Sequence, residues 1–315
     1  MWGYIGRRLL AFIPTVFVAV TLIFILTRMV PGNPVWALLG HQSVSAEQVD
    51  AMARELGLDR PILIQYLTWL PKALSGNFGQ SIFFERPVAV VIAERFPVTL
   101  SIAGLSTLLT VLLAVPLGVL AATRRDTALD HASMVLSIFG VSVPSFWLGF
   151  LFILLFAVTL GWFPVAGYRD LSFGFWEWLR RLVLPVLALS LSQLALLMRI
   201  TRTSMLEVLG QEYIVAARAK GLAEGKVIYK HALRNGLMSI TTVVGLVFAL
   251  TLGGSVIIEE VFAIPGLGRL ITSAAVRRDY PTLEGGMAYL TLVALAVNLL
   301  VDLSYSLINP RVRHG

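Results

Sequence analysis

The residues of this chain that are best suited to chemistry or recognition lie between Arg199 and Gly236, in a polar, basic stretch within a very apolar sequence. One run there, from Gly221 to Lys226, has the glycines and the lysine of a phosphate-binding loop. The run is too short for that motif, and Val227 stands where a hydroxyl group would hold magnesium. ATP hydrolysis by this chain is therefore not expected.

Other catalytic and metal-binding patterns are also missing from the sequence. The chain has no cysteine, which excludes disulfides, thiolate catalysis and cysteine metal sites. Its four histidines are far apart, and no His-Glu-x-x-His motif is present. We predict no catalytic residue, no metal ligand and no cofactor in this chain, so recognition remains as the role of the basic stretch.

The apolar residues of the basic stretch recur every three or four positions, which predicts a helix over residues 203–220. Gly221 is suited to end that helix in a left-handed conformation. A second short helix is predicted over residues 223–235, with Asn235-Gly236 as its stop. The apolar stripe of the first helix is Met205, Leu209, Tyr213 and Ala216.

Two interpretations of the basic stretch remain open. Lys226, Lys230 and Arg234 are four residues apart, and positive charge on the inner side of a membrane, near lipid phosphates, accounts for them. A protein partner accounts in addition for several small residues, because these allow another backbone to come close. The small residues are Ala216, Ala217, Ala219 and Gly221.

Composition identifies the class of protein that carries this stretch. The chain has 315 residues, of which 57% are hydrophobic and 14% charged, and its mean hydropathy is +0.82. A soluble domain of this length cannot bury so much apolar surface, so a multi-spanning membrane protein is predicted. The net charge of +7 favours contact with anionic membrane lipids over nucleic acid, because the basic residues flank apolar spans.

Six apolar runs can cross a bilayer of about 30 Å, which predicts an all-α integral membrane protein with six transmembrane helices. Pro144 is expected to kink or break the third helix, and Pro164 with its aromatic neighbours marks the end of that span. The runs are 9–27, 96–123, 132–168, 182–198, 237–258 and 285–301.

Lysine and arginine residues predict the orientation of these helices. With the N-terminus inside, the cytoplasmic segments contain thirteen basic residues and the two short external loops contain six. Both termini are therefore predicted to be cytoplasmic. A signal peptide is the alternative reading of the first run, but the run is long for one and no clear small-x-small cleavage site follows it.

The only sizeable external piece follows the first span. Ser45-Ala-Glu-Gln48 and Pro61 are expected to begin helices there, and Gly76-Asn-Phe-Gly79 is expected to form a turn. The predicted divisions are a cytoplasmic N-terminus with the first span (1–30), an external helical segment (31–95), a five-span core (96–309) that includes the basic loop (about 199–236), and a cytoplasmic tail (310–315).

The basic loop resembles the cytoplasmic "EAA" loop of ABC-importer permeases, in its oligopeptide/dipeptide/nickel form. The matching residues are Glu212-Tyr-Ile-Val-Ala-Ala-Arg-Ala-Lys-Gly-Leu222 and Lys230-His-Ala-Leu-Arg-Asn235. Val215 stands where the general pattern has glutamate, and Arg234 where it has proline. The peptide-permease branch is similar to this chain in both respects.

The resemblance covers essentially the whole chain, because further motifs follow in the family's order. They are Pro31-Gly-Asn-Pro34, Gly76-Asn-Phe-Gly-Gln-Ser81, Arg95-Phe-Pro-Val-Thr-Leu100, Phe163-Pro-Val-Ala-Gly-Tyr168, Gly253-Gly-Ser-Val-Ile-Ile-Glu-Glu-Val-Phe262, Pro265-Gly-Leu-Gly268, Arg278-Asp-Tyr-Pro281, Asp302-Leu-Ser-Tyr305 and Asn309-Pro-Arg-Val-Arg313.

The resemblance implies one half of the pore of an ATP-driven importer in a bacterial or archaeal inner membrane. Its implied partners are a second, homologous permease, two ATPase subunits that hold ATP and magnesium, and an external substrate-binding protein. Dipeptides or oligopeptides are the leading substrates, with nickel chelates and glutathione as alternatives. The residues expected to couple to the ATPases are Glu212, Tyr213, Ala216, Ala217, Lys220, Gly221, Lys230, His231 and Arg234.

Small residues four apart also occur within the predicted spans, where they allow close helix packing. Packing within the chain is one interpretation, and a surface towards the second permease or the translocation path is the other. Glu259, Glu260 and Asp302 lie near span ends, where solvation at the membrane interface is expected. For Asp302, a pair within the helix bundle is the alternative. The two small-residue stripes are Gly245, Ala249 and Gly253, and Ala114, Gly118 and Ala122.

Two other classes of protein remain as alternatives to an ABC permease. A secondary transporter or channel would work alone with an ion gradient, and a membrane enzyme would be active as the purified chain. Neither class explains the ordered motifs. The transported substrate cannot be read from this sequence, since its selection rests largely with the external binding protein.

Overall fold

The structure is a computed structural model that describes residues 2–29, 47, 51, 54, 57 and 59–308. The described residues are mainly helical, as predicted. Two π-helical segments, Ile153–Thr159 and Val227–Leu233, extend neighbouring α-helices. The α-helices are α1 (Trp2–Met29), α2 (Ile62–Leu74), α3 (Val88–Thr123), α4 (Ala128–Ser142), α5 (Ser145–Phe152), α6 (Phe175–Leu209), α7 (Glu212–Ala219), α8 (Glu224–Lys226), α9 (Arg234–Val261), α10 (Leu267–Arg277) and α11 (Tyr280–Ile308).

Five helical stretches of the described residues are long and apolar enough to cross a membrane, and a bent pair supplies a sixth. The pair joins Ala128–Gly140 to Ser145–Thr159 with a bend of 97°. Pro144 lies at the break with φ −63° and ψ 140°, as the sequence predicts, because its ring and the extended residue before it oppose a continuous helix. The five single stretches are Gly6–Met29, Val88–Thr123, Phe175–Leu209, Glu224–Val261 and Tyr280–Ser304.

The chain forms two compact units. The first comprises Met1–Leu9, Leu100–Ile264 and Ala296–Gly315, and the second comprises Leu10–Thr99 and Pro265–Leu295. In the first unit, α6 packs against α4, α5 and α9.

Small residues bring the helices of the first unit close together. A Cβ added at Gly118 of α3 would lie 2.6 Å from the Cβ of Thr201, and one at Gly140 of α4 would lie 2.7 Å from the Cβ of Ala195. Both neighbours belong to α6. Because Ala114 and Ala122 are also buried, the stripe that contains Gly118 serves packing within the chain.

The second stripe of small residues, on α9, is divided between two environments. A Cβ at Gly245 would lie 2.8 Å from Cγ2 of Val301 on α11, so this glycine permits a close helix crossing. Ala249 is half-buried, whereas Gly253 is exposed and has no neighbour within 4 Å of an added Cβ. Gly253 is the most exposed residue of this stripe.

Asp279 ties residues 81–83 of the second unit to the start of α11. Its carboxylate accepts hydrogen bonds from Oγ of Ser81 (2.6 Å), from the backbone N–H groups of Ile82 and Phe83, and from Oγ1 of Thr282 (2.7 Å). The carboxylate thus caps α11 and orients residues 81–83 at once. The predicted turn just before this point is confirmed, since Gly76 and Gly79 have φ of +78° and +81°.

Predictions for the rest of the segment 31–95 have mixed outcomes. Pro61 immediately precedes α2, which confirms the helix start expected there. The helix start expected at 45–48 falls outside the described residues, except for Glu47, and the C-terminal tail also falls outside them.

The ionisable residues near span ends differ in burial. Asp302 pairs with Arg8 at 3.0 Å within the bundle. Glu259, expected at the membrane interface, is instead completely buried, so the expectation for this residue was wrong. The chain folds back over the end of α9, where Ile264 N–H bonds to the carbonyl of Glu259 at 2.8 Å and Gly167 N–H bonds to the carbonyl of Phe262 at 2.8 Å.

Candidate functional site

The basic loop consists of α7, the turn after it and the start of the next span. The predicted single helix over 203–220 is in fact two helices, because α6 ends at Leu209 and Gln211 has extended φ and ψ of −77° and 147°. Gly221 ends α7 with φ +74°, as expected. An L-residue at that φ is strained, which explains the glycine.

The helix stop predicted at Asn235-Gly236 is wrong. Residues 224–261 form one continuous helical stretch through α8, the π-helical segment and α9. Gly236 is buried, and a Cβ added there would lie 3.6 Å from Sδ of Met205. This glycine therefore allows α9 to pack closely on α6, and tertiary packing outweighs its weak helix propensity.

A group of buried apolar residues, here called the loop cluster, lies beneath the basic loop. Ile214 and Ala217 of α7 contribute to it with exposed fractions of 0% and 8%. The predicted stripe is therefore only partly correct, since Met205 is buried but Tyr213 and Ala216 are exposed. The break after α6 changes the phase of the helix, so different residues of α7 face inward. The loop cluster is Val119, Ala122, Met205, Ile214, Ala217, Val227 and Ala232.

Two polar contacts hold α7 against the helical stretch that follows it. Asn235 Nδ2 donates to the Tyr213 hydroxyl at 2.9 Å and to the carbonyl of His231 at 2.8 Å. Arg218 Nη2 pairs with the Glu224 carboxylate at 2.6 Å. Because these groups are solvent-exposed, the contacts orient α7 more than they stabilise it, and burial of the loop cluster provides the larger free energy.

The outward surface of the basic loop, here called the docking face, combines small, apolar and cationic residues. Val215, Leu222 and Tyr229 are 59%, 37% and 66% exposed, and sequence reasoning missed all three. Their signal in the sequence was an apolar side chain beside cations in a polar loop. Of the residues predicted for coupling, Ala217 is buried and His231 is half-buried, while the exposed ones are Glu212, Tyr213, Ala216, Lys220, Gly221, Lys230 and Arg234.

The cations of the docking face, Lys226, Lys230 and Arg234, are all exposed. Lys230 lies in the π-helical segment Val227–Leu233, and the other two residues flank that segment. The three residues give the docking face its positive charge.

A buried ion pair, also missed by sequence reasoning, lies beside the helix that leads into the loop. Arg202 of α6 binds both carboxylate oxygens of Asp130 on α4, with 2.7 Å between Nη2 and Oδ2. The Asp126 N–H also donates to this carboxylate at 3.1 Å. Asp130 is completely buried. The pair fixes α6 relative to α4 just before the basic loop begins.

The basic loop is therefore a preformed surface suited to binding another protein. It has a buried apolar base, exposed alanines, three exposed apolar side chains and exposed positive charge, a combination typical of interfaces with an apolar centre and a polar rim. Within residues 2–29 and 59–308, no group of three His, Asp or Glu side chains is placed to hold a metal ion.

Two protein-family models match the chain. Residues 114–314 match the inner membrane component of binding-protein-dependent transport systems, and residues 1–103 match the N-terminal part of such membrane components. Together they include both the basic loop and the segment 31–95.

Named relatives match over the full length of the chain. A putative peptide transport system permease of Brucella abortus is 44% identical, with 100% of both chains covered. The di/tripeptide transport system permease DppB of Pseudomonas aeruginosa is 37% identical over 100% of this chain and 99% of its own. The glutathione transport system permease GsiC of Escherichia coli is 38% identical, again with 100% of both chains covered.

A solved structure has a similar fold. It is an inward-facing conformation of the MetNI methionine ABC transporter, with a TM-score of 0.57 and 17% sequence identity over 70% of this chain and 96% of that one. At this identity the match supports the fold alone. The family matches and the relatives support membership, and ABC importers of this family comprise permeases, ATPases and a substrate-binding protein. The chain belongs to the family of binding-protein-dependent transport system inner membrane components, and is a multi-pass permease of a bacterial ABC importer.

Proposed function

We propose that this permease forms half of a pore that imports peptides, with a second, homologous permease as the other half. Dipeptides and oligopeptides are the leading substrates, and the relatives named for peptide and di/tripeptide transport support this choice. The relative named for glutathione supports a small modified peptide as the alternative. An external binding protein delivers the solute.

In the proposed orientation both termini and the basic loop are cytoplasmic. The excess of basic residues in the inner segments supports this orientation. The segment 31–95 then faces the outside, the core 96–309 forms the pore half, and residues 310–315 form a cytoplasmic tail. Exposed Gly253 on α9 belongs to the surface towards the pore or the second permease, whereas Gly245 packs within the chain.

In this proposal two separate ATPase subunits hold ATP and magnesium, and one of them binds the docking face of this permease. The observation that carries it is the position of α7, whose outward side is exposed while Ile214 and Ala217 are seated in the loop cluster. The same cluster contains Val119 of α3 and Met205 of α6. A displacement of α7 is therefore transmitted directly to two spans.

The proposed mechanism is alternating access between inward-open and outward-open states. A motor shifts such an equilibrium only by binding the two states with different free energy. The docking face supplies these contacts, and the close-packed glycines of α3, α4 and α9 favour movement of the helices as rigid bodies, since close-packed interfaces transmit displacement.

Reconstitution tests the energy source. Proteoliposomes that contain both permeases, the ATPases and the binding protein are expected to accumulate radiolabelled dipeptide only with internal ATP. An imposed proton or sodium gradient without ATP is expected to give no uptake. Gradient-driven uptake by the permeases alone would instead identify a secondary transporter.

A further inference from the structure

A cavity of about 400 Å³ lies in the second unit between α2 and the beginning of α11. Its volume is within the range of small-molecule sites. We propose that this cavity binds the carboxylate group of a small organic solute, on the surface formed by Arg28, Arg60 and Lys72. The coupling role of the basic loop does not require this site, and the site is independent of it.

The floor of the cavity contains a rigidly held arginine. Arg28 Nη1 lies 3.0 Å from the buried carboxylate of Glu284, and the guanidinium carbon lies 4.8 and 5.1 Å from the ring centres of Phe24 and Tyr280. Nε of Arg28 is buried and makes no hydrogen bond within the described part of the chain. The ion pair and the two rings thus hold the guanidinium group in one orientation at the floor of the cavity.

One wall of the cavity is the face of α2 that contains Gln65, Thr68, Trp69 and Lys72. These residues recur at intervals of three or four positions, with Thr68 and Trp69 adjacent, and span about 10 Å along the helix axis. The helix is held in place by Tyr66, whose hydroxyl lies 2.7 Å from Oγ1 of Thr21. The ring of Trp69 packs against Phe24 with centroids 5.1 Å apart. The wall is therefore preformed, which lowers the entropic cost of binding.

The charge of the cavity favours an anion. Among the described lining residues four are cationic, Arg28, Arg54, Arg60 and Lys72, and one is acidic, Glu284. Since Arg28 already offsets Glu284, the side chains of Arg60 and Lys72 give the opening a positive potential. Both side chains are exposed, so they also attract an approaching anion through solvent.

The lining suits a carboxylate that is attached to a carbon skeleton. Trp69, Phe78 and Tyr280 add apolar surface for the carbon skeleton of the solute. Small organic acids, including the C-terminal end of a short peptide, have this chemistry.

Equilibrium dialysis tests the proposal with the complete permease complex in lipid nanodiscs, without ATP and without the binding protein. The probes are radiolabelled glycylglycine and glycylglycinamide, which differ only in the carboxylate. Glycylglycine is expected to bind at millimolar concentration and at least about tenfold more tightly than the amide. Absence of binding, equal binding of the amide, or stronger competition by inorganic phosphate would each overturn the proposal.

Matched variants locate the site. Arg60→Gln combined with Lys72→Gln is expected to weaken glycylglycine binding at least about tenfold, whereas Arg86→Gln, which removes an exposed arginine of the same unit, leaves it unchanged. Gln65 bonds to the backbone carbonyl of Arg60, not to its side chain, so the double variant retains that contact. Size-exclusion elution checks folding, and Lys72→Gln alone gives an intermediate effect. Unchanged binding in the correctly folded double variant would contradict the assignment.

Because ATP is absent from these assays, their failure leaves the coupling proposal untouched. Conversely, a permease that binds glycylglycine but does not import it with ATP would retain the cavity assignment and reject the proposed transport function. The cavity assignment is therefore tested by solute binding, and the proposed transport function is tested separately by ATP-driven import.

Discussion

Peptide uptake by a complex that contains Ala216→Trp is expected to fall about tenfold or more, because overpacking of a close interface costs about 1–3 kcal/mol and about 1.4 kcal/mol is a factor of ten in binding. Ala216 is exposed on α7, away from the loop cluster. The larger side chain therefore leaves the fold of the permease intact and obstructs the ATPase. The measurement is ATP-driven uptake in proteoliposomes, with ATPase retention checked by co-purification.

The matched control is Ala128→Trp, which places the same side chain at another exposed alanine, the first residue of α4. This variant is expected to transport at the normal rate. Ala217→Trp is a different case, because Ala217 lies in the loop cluster and a bulky side chain there disrupts the packing of α7 against that cluster. Normal uptake by a fully assembled Ala216→Trp complex would refute close approach at the docking face.

Asp130→Asn is expected to lower the free energy of unfolding by about 3 kcal/mol, towards the lower end of the cost of breaking a buried ion pair. The substitution keeps the volume of the side chain but leaves the Arg202 guanidinium without its charged partner. The lower end applies because the Arg202 side chain is 19% exposed and retains some solvent. Denaturant titration of the purified permease in mixed micelles measures the change.

An exposed ion pair of the same chain provides the comparison. Arg86 and Glu94 are 48% and 50% exposed, so Glu94→Gln is expected to cost about 0–1 kcal/mol. Replacing Asp130 and Arg202 together by leucine and methionine is expected to recover most of the lost stability, because no unpaired charge then remains buried. An equal effect of Asp130→Asn and Glu94→Gln would show that the buried pair contributes nothing special.

Sequence alone predicted the structure correctly at positions where one residue restricts its own backbone dihedral angles. The break at Pro144 and the end of α7 at Gly221 follow from the φ that each residue can adopt. The apolar spans were equally readable, because a run that must cross the bilayer has to be long and almost uncharged. Family motifs then identified the basic loop.

The sequence-based predictions failed for residues whose environment is determined by tertiary packing. Gly236 and Gly221 are the same residue type in the same loop, but only Gly221 ends a helix, since Gly236 faces Met205. Gly245 and Gly253 differ in the same way, one against a neighbouring helix and one exposed.

Contacts between residues that are far apart in the sequence could not be predicted from local sequence patterns. Asp130 and Arg202 are separated by 72 positions along the chain, and no local pattern connects them. The burial of Glu259 likewise depends on the chain that folds back over the end of α9. Such features require knowledge of which helices become neighbours.

Photo-crosslinking from the docking face tests most directly whether ATPase subunits bind there. A photoreactive amino acid at Val215, which is 59% exposed on α7, is expected to form an adduct with an ATPase subunit in the assembled complex. The same group at Leu171, exposed outside the loop, is expected to form none. Adducts from Val215 to lipid alone, in a complex that still performs ATP-driven uptake, would contradict the proposal that the basic loop couples this permease to its motor.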